Sequence, residues 1–246
     1  MKCISWNIRG ALKKGALAFL WNMVKNNNVD LLILQETHLI SSEADDFIFR
    51  YRRNWKGEFY QSTGRSGGII ILWRKSAMEI RCIHKNDQGI NGVAKCTDGS
   101  VFIISGVYAS TNYRKRKQLW DFLSEVNTEH IPWLIIGDMN CIREGNEKMG
   151  GREFNYNYAV SGCNTFIEEV GLWEDEFSGP QFTWTNNRKR AARIQARLDR
   201  VLYSGEWLDK NYVIKVKHLQ RLEYDHRPLL VTCEKEGRKN NGEKYL

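Results

Sequence analysis

Short runs of apolar residues recur along the chain, and each is bounded by polar residues or glycine. Runs that are rich in Ile, Val and Leu and of this length are typical of strands buried in a sheet. They predict strands within KCISWNI (2–8), DLLILQE (30–36), GGIIILW (67–73), VFIISGVYA (101–109), WLIIGDMN (133–140), RLDRVLYS (197–204) and RPLLVTC (227–233). The pattern therefore indicates a protein built around sheets.

Two longer stretches between these runs have helical periodicity, GALAFLWNMVKNNNV (15–29) and RKRKQLWDFLSEVNT (114–128). In each stretch, apolar residues recur at every third or fourth position and are expected to share the buried face of a helix. These residues are Leu17, Leu20 and Val24 in the first stretch and Leu119, Phe122 and Val126 in the second. Strands mixed with helices, without internal repeats, predict a layered α/β or α+β domain with sheets at its centre.

The chain of 246 residues has no segment rich in proline, glycine or serine that would divide it. We therefore predict one domain over residues 1–233, followed by a flexible tail over 234–246 that lacks apolar periodicity. The sequence shows no leader-like apolar segment and no apolar run near the roughly 20 residues of a membrane span. These features predict a protein without membrane contact.

Charge and cysteine usage narrow the expected partners and compartment. The 37 Lys and Arg residues exceed the 29 Asp and Glu residues and give a formal net charge of +8. Such an excess favours a polyanionic partner, such as nucleic acid or an anionic membrane surface. The six cysteines are scattered, without the paired spacing of a zinc site, and so they predict reduced thiols in an intracellular protein.

Polar residues end or interrupt several of the predicted strands. They are Asn7, Glu36, Asp138, Asn140, Asp199, Asp225 and His226. Burying a carboxylate at the end of an apolar strand costs free energy unless the carboxylate meets a cation or several donors. Because the ends of adjacent strands converge in space, the simplest common explanation is a site for a hard cation at one rim of the sheets.

Each of these positions also has an ordinary explanation. Glu36 could form a surface ion pair, and GDMN could be a turn closed by its own Asp and Asn side chains. Asp199 could pair with the arginines beside it in the chain, and the dipeptide Asp225–His226 could be a turn into the last strand. The set of positions, rather than any one of them, favours a site.

Taken in order, the segments resemble those of a known family. WNIRG, LLILQETHL, GGIIILW, GVYAS, LIIGDMN, RLDRVLYS and YDHRPL are similar to the signature segments of the DNase I-like endonuclease/exonuclease/phosphatase superfamily. QETHL, FTWTNNR followed by RLDRVLYSGEWLDKN, and DHRPLL most resemble the endonuclease domain of plant non-LTR (LINE-type) retrotransposons. The resemblance implies a four-layered α/β sandwich, in which two packed mixed sheets are flanked by helices.

The resemblance also implies a metal site and roles around it. Glu36 would be the chief ligand of a Mg²⁺ ion, for which Mn²⁺ could substitute, with Asn7 and Asp225 as further ligands. Asp138 would orient or deprotonate the attacking water, and Asn140 would hold a phosphoryl oxygen. Such oxygen ligands suit Mg²⁺, which keeps several of its waters.

Three further roles follow from the same resemblance. Tyr108 would reach the phosphate from the side, Asp199 would support the site, and Asp225 would fix the ring of His226. By residue type alone, Asp138 and His226 both qualify as the general base, and the sequence leaves that choice open.

Two basic segments are expected to contact DNA. They contribute Arg114 and Lys115 from the first segment and Arg188, Lys189, Arg190 and Arg193 from the second. The ordinary explanation of such charge runs is a solvated face. The second segment, however, occupies the position of a protruding hairpin in the retrotransposon endonucleases that the chain resembles.

The implied function is a Mg²⁺-dependent DNA endonuclease that nicks one strand and leaves a 3′ hydroxyl for a reverse transcriptase. The chain would be a nuclear monomer, either alone or excised from a polyprotein that includes the transcriptase. The alternatives are an apurinic/apyrimidinic repair endonuclease, a phosphatase or phosphodiesterase of the same superfamily, and a decayed nucleic-acid-binding module. One departure is Tyr224, which stands where the family usually has Ser and is expected to perturb the loop before His226.

Overall fold

The computed structural model describes residues 1–64, 66–126 and 130–236. Its strands are β1 (Lys2–Asn7), β2 (Leu31–Gln35), β3 (Trp55–Thr63), β4 (Ser66–Arg74), β5 (Met78–Asn86), β6 (Gly89–Cys96), β7 (Val101–Tyr108), β8 (Trp133–Asp138), β9 (Lys148–Met149), β10 (Leu172–Trp173), β11 (Phe177–Ser178), β12 (Trp184–Thr185), β13 (Gln195–Ala196), β14 (Asp199–Ser204), β15 (Tyr212–His218) and β16 (Leu229–Lys235). Its helices are α1 (Ala16–Asn27), α2 (Ser41–Tyr51), α3 (Tyr113–Ser124), α4 (Tyr158–Val170) and α5 (Glu206–Asp209).

Two large mixed sheets form the centre of the molecule. The first has the strand order β11-β15-β16-β1-β2-β4-β3, in which β1 and β2 are parallel. The second has the order β10-β14-β8-β7-β6-β5, in which β7 and β8 are parallel. A small sheet of β12, β13 and β9 completes the described strands. The parallel pairs matter for function because the ends of paired parallel strands lie at the same edge of a sheet.

Three apolar clusters lie between four layers. The side chains of β2 show why, since Leu31 and Ile33 belong to the cluster between the sheets, whereas Leu32 and Leu34 face α1 and α2. Successive strand residues point to opposite faces, so a strand that is covered on both sides reads as one continuous apolar run. The third cluster lies between the second sheet and helices α3 and α4. The predicted four-layered α/β sandwich is therefore confirmed.

All seven predicted strands exist, as β1, β2, β4, β7, β8, β14 and β16. The strands that the sequence pattern missed include β5 and β15, in which buried and exposed side chains alternate. Alternation leaves polar residues such as Lys215 and Lys217 within the strand, and these hide its apolar face from a search for continuous runs.

The two predicted helices also exist, but the buried face of one was wrong. In α1 the buried residues include Leu20 and Val24, as expected, while Leu17 is only half-buried. In α3, Phe122 and the following Val126 are half-buried at the edge, and the buried face is formed by Arg116, Leu119, Trp120 and Leu123. The aliphatic part of an arginine side chain packs well against apolar groups. A pattern that treats every charged residue as exposed therefore places Arg116 on the wrong face of the helix.

The last strand continues past Cys233, where the sequence predicted the domain to end. β16 runs to Lys235, and the amide of Glu236 donates to the carbonyl of Asn211 at 2.7 Å. The remainder of the predicted tail, residues 237–246, lies outside the described residues. Across the part of the chain that the structure describes, the helices are too short or too polar to cross a bilayer.

Candidate active site

The polar residues that end the predicted strands meet at one rim. Asn7 ends β1 and Glu36 follows β2, which runs parallel to it in the first sheet. In the second sheet, Tyr108 ends β7 beside Asp138 at the end of the parallel β8, and Asp199 pairs with Asp138 from the antiparallel β14. Both sheets therefore present side chains at the same edge of the sandwich.

Asn7 connects the two sheets across this rim. Its fully buried amide nitrogen donates to Glu36 Oε1 at 3.2 Å and to Asp138 Oδ2 at 3.0 Å. Glu36 Oε1 also accepts a 2.8 Å hydrogen bond from the Tyr108 hydroxyl. Burial alone would raise the pKa of Glu36, but the bonds from Tyr108 and Asn7 and the charge of Arg9 outweigh it and lower the pKa. Glu36 is thus an anion at neutral pH.

Tyr108 serves as a donor in this arrangement. Burial, followed by the nearby charge of Glu36, raises the pKa of Tyr108 well above its ordinary value. The phenol therefore keeps its proton and holds the Glu36 carboxylate in one orientation.

Asp138 is the most deeply buried carboxylate of the rim. Its Oδ1 accepts from the backbone amide of Asn140 at 2.9 Å, and its Oδ2 lies 3.8 Å from His226 Nε2. Burial raises the pKa of Asp138 to about 7, although the His226 charge opposes the shift. A carboxyl with such a pKa can accept a proton near neutral pH and release it again.

Asn140 lies at the rim beside Asp138. Its side-chain amide donates to the carbonyl of Ala109 at 2.7 Å. Because that nitrogen carries two hydrogens, one donor is left for another acceptor.

His226 is held by Asp199, and the expectation that Asp225 fixes the ring was wrong. The Nδ1–H group of His226 donates to Asp199 Oδ2 at 2.9 Å. Burial alone would lower the pKa of His226, but the charges of Asp199 and Asp138 raise it to about 9. The ring is therefore an imidazolium at neutral pH, with its Nε2 side directed towards Asp138.

Asp225 instead faces Arg9, which the sequence analysis did not single out. Asp225 Oδ2 accepts from Arg9 Nη1, and Glu36 Oε2 accepts from Arg9 Nε at 3.2 Å. The two carboxylates are largely buried, whereas half of the Arg9 side chain is exposed. The only sequence signal for Arg9 was its place in WNIRG, two residues after Asn7.

Two groups of side chains could hold a metal ion. The ligand atoms of Asp138, Asp199 and His226 lie within 4.8 Å of one another. To ligate a cation there, His226 would have to release the proton that its raised pKa favours. On the other side of the rim, Glu36 and Asp225 offer carboxylate oxygens, which are the donors that Mg²⁺ prefers.

Asn7 adds a further oxygen atom that could ligate a cation together with Glu36 and Asp225. Within the described residues, no hydrogen bond reaches its buried Oδ1 atom. An unpartnered buried acceptor is costly, and a cation would satisfy it. Asn7, Glu36 and Asp225 therefore fit a hard divalent cation.

Four rim residues adopt the left-handed backbone conformation, which is uncommon for residues other than glycine. They are Arg9, Glu36, His38 and Asn140, with φ between 45° and 57°. Backbone hydrogen bonds fix this arrangement, because Gly10 donates to the carbonyl of Glu36 and His38 donates to that of Gly67. Each such residue costs on the order of 1–3 kcal/mol, and residues of this kind cluster at functional sites.

The sequence profile of the Endonuclease/Exonuclease/phosphatase family matches residues 4–216, which includes the rim residues on β1, β2, β7, β8 and β14. The protein belongs to this family. A comparison with curated protein sequences found no match.

Solved structures of nucleases share the fold of this family member. It is similar to the AP endonuclease LMAP from Leishmania major, with a TM-score of 0.75 and 16% identity over 96% of this chain and 88% of the other. An AP endonuclease from Archaeoglobus fulgidus gives a TM-score of 0.70 and 18% identity over 94% and 98%. The endonuclease domain of TRAS1, a telomere-specific non-LTR retrotransposon, gives 0.67 and 14% over 96% and 100%.

The second basic segment of this Endonuclease/Exonuclease/phosphatase protein lies on a hairpin between β12 and β13. Its four predicted DNA-contacting residues are exposed: Arg188, Lys189, Arg190 and Arg193. The hairpin is tied to the rim, because the Thr185 amide donates to the Asp225 carbonyl and the Arg227 amide donates to the Thr183 carbonyl. The backbone that carries the cations is therefore connected directly to the loop that includes Asp225.

Two more arginines lie beside this hairpin, and the sequence analysis missed them. Arg221 Nη1 donates to Asn187 Oδ1 in the hairpin at 2.6 Å, and Arg227 Nε donates to the Phe182 carbonyl at 2.9 Å. Burial and the charge of Arg193 lower the pKa of Arg221. No local charge run marks either residue, since only the fold brings them to the hairpin.

The basic segment that includes Arg114 and Lys115 divides among three environments. Lys115 lines a cavity of about 400 Å³ that also includes Tyr108 of the rim. Arg114 lines a separate groove between α3 and α4 with Tyr158. Arg116 is buried and donates to two backbone carbonyls. Of this segment, Lys115 is thus the residue nearest to the rim.

The arginines beside Asp199 do not pair with it. Arg200 is fully buried and donates to Glu147 and Glu174, and Arg197 pairs with the same two glutamates. This network frees Asp199 to hold His226, which excludes the simple salt-bridge explanation of Asp199.

Tyr224 does not face the rim. Its ring makes an edge contact with Trp6, with 4.8 Å between ring centroids, and stacks on Phe19 of α1 at 5.9 Å. Trp6 Nε1 in turn donates to the carbonyl of His226 at 3.4 Å. The phenol thus packs against the loop from the helix side, and the expected perturbation of this loop stays a prediction.

Proposed function

We propose that the protein is a DNA endonuclease that depends on a divalent cation, nicks one strand and leaves a 3′ hydroxyl. The observation that carries the proposal is the position of the His226 ring, which is bonded to Asp199 and lies 3.8 Å from Asp138 at a rim that also includes Glu36. A fixed positive charge beside a carboxyl with a pKa near neutrality suits hydrolysis of a phosphodiester.

In the proposed reaction, Asp138 orients a water molecule and accepts its proton as the water oxygen attacks phosphorus. The bond from phosphorus to the 3′ oxygen breaks, and that oxygen takes up a proton from solvent water. His226 donates a hydrogen bond to a phosphoryl oxygen and stabilises the added charge, and the free donor of Asn140 serves a second one. The position of the Nε2 atom near Asp138 supports this division of roles.

A Mg²⁺ ion, or Mn²⁺ in its place, would be held by Glu36, Asn7 and Asp225. When bound, the ion would supply positive charge for the phosphoryl oxygens and for the departing 3′ oxygen. Tyr108 keeps Glu36 oriented for this task through its 2.8 Å hydrogen bond.

DNA as the substrate is supported by the exposed cations of the hairpin, Arg188, Lys189, Arg190 and Arg193, with Lys115 and Arg114 as further contacts. Phosphate neutralisation by such residues binds DNA without specifying its sequence. The retrotransposon type is supported by the similarity to the TRAS1 endonuclease domain. A reverse transcriptase that extends the 3′ hydroxyl would then be the functional partner of a monomeric nuclease in the nucleus.

Nicking of supercoiled plasmid tests the proposal. We expect the open-circle product with Mg²⁺, no product with EDTA, and extension of the nick by a DNA polymerase without prior phosphatase treatment. Asp138→Ala and His226→Ala should abolish nicking, whereas the matched control Asp45→Asn, on the exposed face of α2, should retain it. Absence of nicking by the parent protein, or full activity of both site variants, would overturn the proposal.

A repair function is a second candidate, because two of the similar structures are AP endonucleases. Paired duplex oligonucleotides, one intact and one with a single abasic site, separate the two functions. Similar initial rates on both duplexes support the retrotransposon type. A rate on the abasic duplex that is higher by orders of magnitude supports the repair enzyme.

A further inference from the structure

Arg9 occupies the space between the two carboxylates that are proposed to hold the divalent cation. Its Nε atom donates to Glu36 Oε2 at 3.2 Å, and its Nη1 atom donates to Asp225 Oδ2. A guanidinium keeps its proton in a folded protein over the whole working pH range. The guanidinium is therefore a permanent positive charge at this position.

The backbone holds Arg9 beside Glu36. The amides of Ile8, Gly10 and Ala11 donate to the carbonyls of Gln35, Glu36 and Thr37 at 2.7–3.0 Å, so the segment after β1 runs along the segment after β2. Arg9 itself has a φ of 45°. The main chain thus cannot retreat, but the half-exposed side chain can rotate towards solvent.

The charges around this position explain what the guanidinium does. Glu36 and Asp225 face it directly, the ring of His38 lies 3.5 Å from Glu36 Oε2, and the imidazolium of His226 lies deeper in the rim. Without Arg9, Glu36 would keep the neutral donors Asn7 and Tyr108, but Asp225 would lose its cationic partner, and two largely buried negative charges would remain. Repulsion of that kind opens a site or protonates one of its carboxyls.

We propose that Arg9 is a built-in counter-ion of the cation site, which a divalent cation must displace in order to bind. The inference rests on the proposed function, in which Glu36 and Asp225 are ligands. Arg9 keeps the carboxylates oriented in the metal-free protein and weakens cation binding. Removing its charge should strengthen the binding of a divalent cation by about tenfold, as expected for one unit charge a few ångströms away at a partly exposed site.

The experiment measures cation affinity directly. Free Mn²⁺ is quantified by its electron paramagnetic resonance signal during titration of the parent protein, Arg9→Gln and Arg9→Lys, without DNA. Both substitutions place a non-glycine residue at the same position with left-handed backbone conformation, so any backbone strain is the same in the two variants. Arg50→Gln, on the exposed face of α2, controls for the change in net charge. We expect Arg9→Gln to bind Mn²⁺ about tenfold more tightly than Arg9→Lys, and Arg50→Gln to match the parent.

Thermal unfolding provides a second readout. Without metal, Arg9→Gln should unfold at a lower temperature than Arg9→Lys, and saturating Mg²⁺ should close that gap. A purely structural role for Arg9 would leave the gap open at every Mg²⁺ concentration and would overturn the inference.

A fourth variant separates the two proposals. Glu36→Gln should abolish Mn²⁺ binding at this site. If it does, and Arg9→Gln binds Mn²⁺ no more tightly than Arg9→Lys, the counter-ion inference fails while the cation site stands. If Glu36→Gln binds Mn²⁺ as the parent does, the proposed cation site is wrong, and the role of Arg9 falls with it.

Discussion

The Nδ1 atom of His226 lies 2.9 Å from Asp199 Oδ2, although 27 positions separate the two residues in the chain, whereas the adjacent Asp225 faces Arg9. The division follows from the sheets, because Asp199 begins β14 beside Asp138 and so lies within hydrogen-bond distance of the ring. Asp199 and Asp225 therefore serve different groups.

This division predicts different effects for two matched variants. Asp199→Asn removes the charge that supports the imidazolium, so the pKa of His226 should fall and nicking should drop by about 10²–10³-fold. Asp225→Asn should lower the His226 pKa less, because the charge of Asp225 is a smaller cause of its shift, and should weaken cation binding. Proton NMR titration of the His226 ring, together with plasmid nicking, measures both. Equal shifts of the pKa in the two variants would contradict the assignment.

The charge state of His226 predicts how stability depends on pH. Its pKa is raised in the folded protein to about 9 from an ordinary value of 6.5, so its contribution is complete below pH 6.5 and is lost as the pH rises through 9. The pKa of Asp138 is also raised, to about 7, so its contribution to stability is likewise lost as the pH rises. Urea unfolding in EDTA should show a loss of up to about 3 kcal/mol from His226 between pH 6.5 and 9. His130→Asn, at an exposed position, should leave that slope unchanged.

Gly137 predicts a steric effect next to Asp138. A Cβ atom at this glycine would lie 1.9 Å from the Val107 carbonyl of the paired strand, and φ is 151°. We expect Gly137→Ala to destabilise the fold by at least about 2–3 kcal/mol and to displace Asp138. Gly162→Ala is the matched control, because nothing lies within 4 Å of its added methyl in α4. It should stabilise the protein by roughly 0.5–1 kcal/mol. Calorimetry of both variants checks the contrast.

The hairpin cations predict a salt-dependent effect on DNA binding. Replacing Arg188, Lys189 and Arg190 by Gln should make the negative slope of log affinity against log salt less steep. The change should be roughly one unit for each DNA phosphate that these side chains neutralise. Fluorescence anisotropy with duplex DNA between 50 and 200 mM salt, roughly the range over which phosphate binding weakens, measures the slope. A variant with Arg50→Gln and Arg53→Gln, two exposed positions in and after α2, should keep the parental slope. A parental slope in the hairpin variant would exclude phosphate binding there.

The position of Tyr224 reverses an expectation from the family pattern. Because its ring packs on Trp6 and Phe19, Tyr224→Ser should leave a cavity and destabilise the protein by roughly 3 kcal/mol. Nicking should fall, since Trp6 contacts the His226 carbonyl. Tyr224→Phe should retain both stability and activity. A rise in nicking by Tyr224→Ser would show that the phenol restrains the loop, as the family pattern suggested.

The fold could be predicted because strands covered on both faces are continuous apolar runs, as in β2 and β8. Strands with one exposed face, such as β15, were missed because polar residues interrupt their apolar runs. The rim could be predicted as a set, because a polar residue at the end of a buried strand is conspicuous. Its internal pairing could not, since Asp199 meets His226 through sheet register, and Arg9 meets Asp225 across most of the chain.

The connection between the hairpin and the rim has a geometric consequence. Two backbone hydrogen bonds, from Thr185 to Asp225 and from Arg227 to Thr183, fix the base of the hairpin to the loop that includes His226. The protein backbone then sets the length of duplex that fits between the hairpin tip and His226. Inserting residues at the tip should move the nick along the strand, whereas substituting its cations should change only how often the nick is made.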